Sequence, residues 1–205
     1  VGAGKQWSKT TIDSDTLVAR LRAPDDQEAW RIVDARYGPL LLAFAARTGL
    51  DAERCRDARQ EAMMAFAETI RAGRFDRSRG RLRDLLFAIA KNKVADIHVR
   101  RRREPAPLSV ELGAVDPVAG FADDEAWRRA WEAEWQLAVA AECLRQAQLK
   151  FKPDTYLAFY LKAIEGYSSV EVAGRTGKTV NAVDIATTRV RSFLREIRGV
   201  IEEVF

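Results

Sequence analysis

Two stretches of this chain carry side chains whose types and spacing suit recognition of a polyanion. From Arg71 to Arg103, arginines and lysines greatly outnumber the acidic Asp76, Asp84 and Asp96. A polyanion bound there would release counterions, so its affinity should fall steeply with salt. Within the stretch, Arg77, Arg79, Arg81, Arg100 and Arg101 are the candidate phosphate contacts. A solvated basic helix end explains the arginine run equally well by itself, because cations complement the negative end of a helix dipole. The second stretch lies near the end of the chain. There Thr179, Val180, Asn181, Asp184, Thr187, Thr188 and Arg191 are expected on the early, outward-facing turns of a helix, where helix-turn-helix proteins touch base edges. Arg175, Lys178, Arg189 and Arg195 are placed to hold phosphates and set the docking register. Asp184 is awkward beside phosphate, so it either accepts from a cytosine amino group or restrains Arg191.

Other chemistries find little support. The clustered carboxylates, metal ligands and Gly-rich phosphate loop of nucleic-acid enzymes are missing, so the chain reads as non-enzymatic, with no catalytic residues, metal or cofactor. His98 is the one histidine, with no Cys or second His at metal spacing, and a surface or boundary position is expected for it. Cys55 and Cys143 lie far apart inside apolar helical patterns, which fits core thiols in a reducing cytosol rather than a disulfide. Asn92 and Asp96, one helical turn apart, are read as structural hydrogen bonders.

The elements that must position these side chains are all helical. Over 205 residues, 47% hydrophobic and 31% charged composition is that of a folded globular protein, long enough for two small helical domains or one larger one. A net charge of +4 is modest, so local clustering of cations matters more than the total. No apolar stretch approaches the roughly 18 to 20 residues that span a bilayer. The chain is therefore expected to be cytoplasmic, neither exported nor inserted in a membrane, with residues 1–13 a flexible leader.

Helical apolar spacing runs through 14–103 with no strand-like alternation. Ser14 is a plausible cap for a first helix carrying Leu17, Val18 and Leu21. A second helix with Trp30, Val33 and Tyr37 on one face meets Gly38-Pro39 and resumes through Leu41 and Phe44, with Gly49 ending it. Cys55, Ala58, Ala62, Phe66 and Ile70 form a third stripe, which leaves Asp57, Gln60 and Glu61 facing water or a partner. After the loop Phe75-Asp76-Arg77-Ser78-Arg79-Gly80, a long helix carries Leu82, Leu85, Leu86, Ile89, Ala90, Val94 and Ile97. Pro- and Gly-rich residues 104–120 mark a linker, and 121–205 form the second domain. Trp127, Trp131 and Trp135 at i, i+4 and i+8 are expected to be buried by packing between this helix and one of the two domains. In the last domain, a cap at Ser168 or Ser169, a turn at Gly177 and a cap at Thr179 outline a short helix, a turn and a longer helix. An ordinary helical hairpin would share that outline; the small Ala173 at the crossing and the basic, Thr-rich second helix favour a DNA-binding helix-turn-helix.

From Ser14 to Glu203 the chain resembles the extracytoplasmic-function class of bacterial RNA polymerase sigma factors. Phe75 to Arg83, followed by Leu86, Ile89-Ala90, Asn92, Asp96 and the arginine run, is similar to the promoter-opening segment of that family. Asp57-Ala58-Arg59-Gln60-Glu61 is similar to its polymerase-docking helix, and Glu165 through Arg195 to its C-terminal promoter-reading domain. The Trp-rich segment looks like that of the Planctomycetes-type members.

The resemblance implies that 14–103 docks on core RNA polymerase through Asp57, Gln60 and Glu61. It implies that Phe75, Arg77, Ser78, Arg79, Gly80, Arg81, Arg100 and Arg101 meet the minus-ten promoter element. The loop would cradle a flipped single-stranded base, with Gly80 allowing close backbone approach. The C-terminal domain would read the minus-thirty-five element. Partners are then core polymerase, promoter DNA and, as regulators, an anti-sigma factor or a kinase. Arg56 and Arg59 depart from the family by standing where acidic and apolar residues are usual, and 51–68 holds no Ser or Thr for a phosphorylation switch. The competing reading is a helix-turn-helix transcriptional regulator that never joins the polymerase, which accounts for the C-terminal half but not for the arginine loop and docking-like helix.

Overall fold

A computed structural model describes residues 14–23, 25–103, 121 and 123–204; the expected leader over 1–13 and linker over 104–120 lie outside them. Among the described residues all regular structure is helical, as expected. The helices are α1 (Ser14–Leu21), α2 (Gln27–Arg47), α3 (Ala52–Arg71), α4 (Leu82–Arg103), α5 (Asp124–Lys150), α6 (Pro153–Ala163), α7 (Ser169–Thr176) and α8 (Val180–Val204), with a 3-10 turn at Arg77–Arg79. The chain divides into two compact units, Val1–Ala138 and Val139–Val204, and the division falls inside α5.

In the first unit, local sequence sets the helix starts. The Asp26 carboxylate caps α2 by accepting from Ala29 N at 2.9 Å, and Arg20 donates to both its oxygens at 2.7 and 2.8 Å. Asp51 caps α3 by accepting from the backbone of Glu53 and Arg54. The expected interruption at Gly38-Pro39 does not occur, and α2 runs through both residues. An interior proline loses one backbone hydrogen bond, but burial of Val33, Tyr37 and Gly38 before it and Leu40, Leu41 and Phe44 after it holds the helix together. On α3 the buried residues are the expected Cys55, Ala58, Ala62, Phe66 and Ile70.

His98 is not at the boundary. It is 4% exposed, with Nε2 3.0 Å from the Thr48 hydroxyl. That hydroxyl donates its single hydrogen to the Ala45 carbonyl at 2.7 Å, so the imidazole Nε2–H is the donor to Thr48 Oγ1. A buried imidazole is tolerated because its polar edge is paired; composition carried no sign of that partner.

The Trp-bearing part of α5 falls in the first unit. Trp127, Trp131 and Trp135 are buried, and they pack within that unit. Trp131 meets Phe44 edge-on at 5.2 Å between ring centroids and Phe87 at 5.7 Å. Around them Arg47 pairs with Glu134 at 2.5 Å, and Arg83 lies 4.8 Å over the Trp135 ring while donating to Glu132 at 3.1 Å. Large aromatic faces bury wherever a complementary groove exists, and that groove lies between α2 and α4.

The second unit begins with Val139, Cys143 and Ala147 of α5, all buried. Its centre is Ala158 of α6, Val172 of α7, and Val183 and Ala186 of α8, extended by Val190, Phe193 and Ile197. Ser168 caps α7 in a reciprocal box with Glu171, and Gly177 ends it at φ +67°, a left-handed conformation that favours glycine. The Thr179 hydroxyl accepts from Ala182 N at 3.2 Å and starts α8.

Candidate nucleic-acid interface

In the first unit the basic loop is built around an anchor and a cap. Phe75 was expected to face the ligand; its ring is 8% exposed and belongs to the core, and Arg22 donates to its carbonyl at 3.4 Å. A phenyl ring next to a charged loop is more stable in the apolar interior, so Phe75 holds the loop down instead of presenting itself. Asp76 accepts from Ser78 Oγ at 2.8 Å and Ser78 N at 2.9 Å. Those two bonds hold the Asp76 carboxyl below its ordinary range and fix the turn that carries Arg77, Ser78 and Arg79. Arg77 Nε lies 3.3 Å from Asp15. Gly80 is in extended backbone, and a Cβ built on it would find only Asp84 Oδ2, at 4.0 Å, so its outer side is open. Arg81 is exposed at the start of α4, its N–H donating to Asp84 at 3.3 Å.

The acidic face of α3 and the basic end of α4 meet. Asp57 and Gln60 are exposed, and Glu61 accepts from Arg100 Nη2 at 2.6 Å. That bond, with the charges of Asp96 and Asp57, holds the Arg100 guanidinium above its ordinary value. One residue of the expected docking set and one of the expected DNA set are therefore partners. Arg101 is exposed and reaches the Gly49 carbonyl at 3.4 Å. Arg56 is exposed, whereas Arg59 turns toward α2 and donates to Asp34 at 2.5 Å.

In the second unit α8 presents one face outward. Thr179, Val180, Asn181, Thr188, Arg189, Arg191 and Arg195 are exposed. Two other expected contacts are not presented this way. Thr187 is 3% exposed and its hydroxyl donates to the Val183 carbonyl at 2.8 Å. It stands four residues after Val183 and three before Val190, which places it on the buried stripe. Asp184 is half-exposed and pairs within the unit rather than with Arg191. It accepts from the Lys162 ammonium and from Ser169 Oγ, the latter at 2.7 Å, and so ties α6, α7 and α8 together. The Lys162 and Ser169 bonds hold its carboxyl below the ordinary range. Arg175 is exposed with its guanidinium 4.2 Å over the Tyr167 ring, and Lys178 lies 3.3 Å from Asp154. The exposed Ile185 on this face was not anticipated. Ile185 follows Asn181 by four and precedes Thr188 by three, a spacing that places all three on one side of the helix.

Over 185 residues the chain is 31% identical to the RNA polymerase sigma factor CnrH of Cupriavidus metallidurans, an alignment covering 89% of this chain and 93% of the relative. A solved structure of CnrH in complex with the cytosolic domain of CnrY matches 90% of this chain and 96% of that one, at 22% identity and a TM-score of 0.35. No family model matches the chain.

Proposed function

The chain belongs to the RNA polymerase sigma factors, in the extracytoplasmic-function class its motifs resemble, and we propose that it binds core RNA polymerase and directs initiation at specific promoters. The observation that carries this reading is that the identity to CnrH is too long to be confined to either unit. A helix-turn-helix regulator would share only the α7–α8 pair with such a relative.

In this reading the exposed Asp57 and Gln60, with Glu61, dock on the polymerase. The Arg77–Arg79 turn, Gly80, Arg81, Arg100 and Arg101 engage the minus-ten element, mainly through phosphate. Helix α8 lies in the major groove as the second helix of a helix-turn-helix and reads the minus-thirty-five element, while Arg175, Lys178, Arg189 and Arg195 hold phosphates. The protein is cytoplasmic and non-enzymatic, since catalysis belongs to the polymerase. No helix among the described residues is long and apolar enough to cross a membrane. An anti-sigma factor or a kinase would be the regulator.

Transcription from a random promoter library by purified core polymerase, with and without this chain, tests the reading. Sequence-specific transcripts that depend on the chain are the expected result. Site-specific DNA binding with no capture of core polymerase would favour the stand-alone regulator instead.

A further inference from the structure

Helix α8 has fewer polar side chains available for base reading than its composition implies. The Thr187 hydroxyl is buried and bonded to Val183, and the half-exposed Asp184 carboxylate is already paired with Lys162 and Ser169. The outward stripe on the early turns of α8 is then Asn181, Ile185 and Thr188, and the middle residue is apolar and 51% exposed.

An isolated exposed aliphatic side chain is common on protein surfaces and by itself needs no explanation. Ile185 differs in its surroundings. It lies between two exposed hydrogen-bonding residues, on the helix that also carries the exposed cations Arg189, Arg191 and Arg195. Such a cationic face suits a polyanion rather than an apolar protein surface. The major-groove edge of DNA offers one apolar feature, the C5-methyl group of thymine, and aliphatic side chains are among the groups that contact it.

We propose that Ile185 reads a thymine methyl group in the upstream promoter element, as a specificity-determining residue flanked by the polar contacts of Asn181 and Thr188. The proposal rests on the sigma-factor reading of α8. Ile185 covers the methyl and excludes water from it, so the preference it confers is for thymine over any pyrimidine lacking that group. Removing the methyl leaves the hydrogen-bonding edge of the base intact.

The test uses the full chain with core polymerase and duplexes carrying the site selected from a random library. Each thymine of the upstream element is replaced singly by uracil, which deletes only the methyl. At one position the wild-type holoenzyme should lose affinity by about four-fold, the contribution of one buried methyl group. Ile185→Ala should bind thymine and uracil duplexes equally at that position, and Ile185→Val should keep most of the discrimination. Melting temperatures of both variants check that the fold is retained. The proposal is overturned if no upstream thymine is sensitive to uracil, or if Ile185→Ala discriminates as the wild type does. It is also overturned if Ile185→Ala weakens capture of core polymerase while leaving the thymine preference intact, which would make Ile185 a protein contact. If library selection yields no preferred sequence at all, the promoter-reading function itself has failed.

Discussion

Arg100 of α4 donates to Glu61 of α3 at 2.6 Å, joining the basic end of one helix to the acidic face of another. A partner that binds Glu61 through its own cations must displace this guanidinium, so the two surfaces are not independent. Arg100→Ala therefore has two expected effects. Core-polymerase affinity should rise by up to about five-fold, the range an exposed pair supports. The salt dependence of promoter binding should fall by about one phosphate contact. Titrations of core polymerase and of promoter duplex at several salt concentrations measure both; a fall in both affinities would show that the pair stabilises the docking face rather than occupying it.

Gly38 lies against Arg59 so closely that a Cβ built on it would stand 2.9 Å from Arg59 Nε. Replacing an interior helical glycine by alanine ordinarily stabilises by about 1 kcal/mol. In the wild-type background that gain should be largely offset, because the guanidinium that donates to Asp34 must shift to make room. In an Arg59→Ala background the gain should return. Urea midpoints of the two single variants and the double variant give the coupling, expected near 1 kcal/mol.

Trp131 touches both Phe44 and Phe87 and is buried. Trp131→Ala should cost about 3–5 kcal/mol of the first unit's stability, the usual cost of truncating a large core aromatic. Leu137, exposed on the same helix, should tolerate alanine within about 0.5 kcal/mol. Chemical denaturation followed by circular dichroism separates the two; equal effects would mean that the Trp face is not part of that core.

The Asp26 carboxyl is held down to about 2, first by its hydrogen bonds from Arg20 and then by the Ala29 backbone. Its value in the unfolded chain lies higher, near about 4. The ionised form is thus favoured by folding: the contribution is complete above the unfolded value and is lost as pH falls toward the folded one. Asp26→Asn keeps a capping oxygen but not the charge that faces Arg20. The difference in melting temperature between wild type and Asp26→Asn should be constant above about pH 5 and shrink steadily between about pH 4 and 2. A difference that does not vary over that interval would assign the whole effect to capping.

Much of this protein is determined along the chain itself. The apolar stripes of α3 and α4, the Ser168 cap and the Gly177 turn follow from helical periodicity and backbone preferences, which act over a few residues. Thr187 was legible by the same rule, since it falls on the stripe of Val183 and Val190, but its hydroxyl made it look like a surface residue. The order of the docking-like helix, the arginine loop and the terminal helix pair also sufficed to point to the family.

Tertiary structure decided the rest, because it set which distant groups meet. Arg100 and Glu61 are 39 residues apart, and Thr48 and His98 are 50 apart. Whether a polar side chain is presented to a ligand or paired with a neighbour depends on such meetings, as Asp184 shows with Lys162 on a different helix. The Trp stripe could be recognised as buried from its spacing, but not against what. Only the packing of α2 and α4 supplied Phe44 and Phe87 as its counterpart, since a hydrophobic face carries no address for its partner.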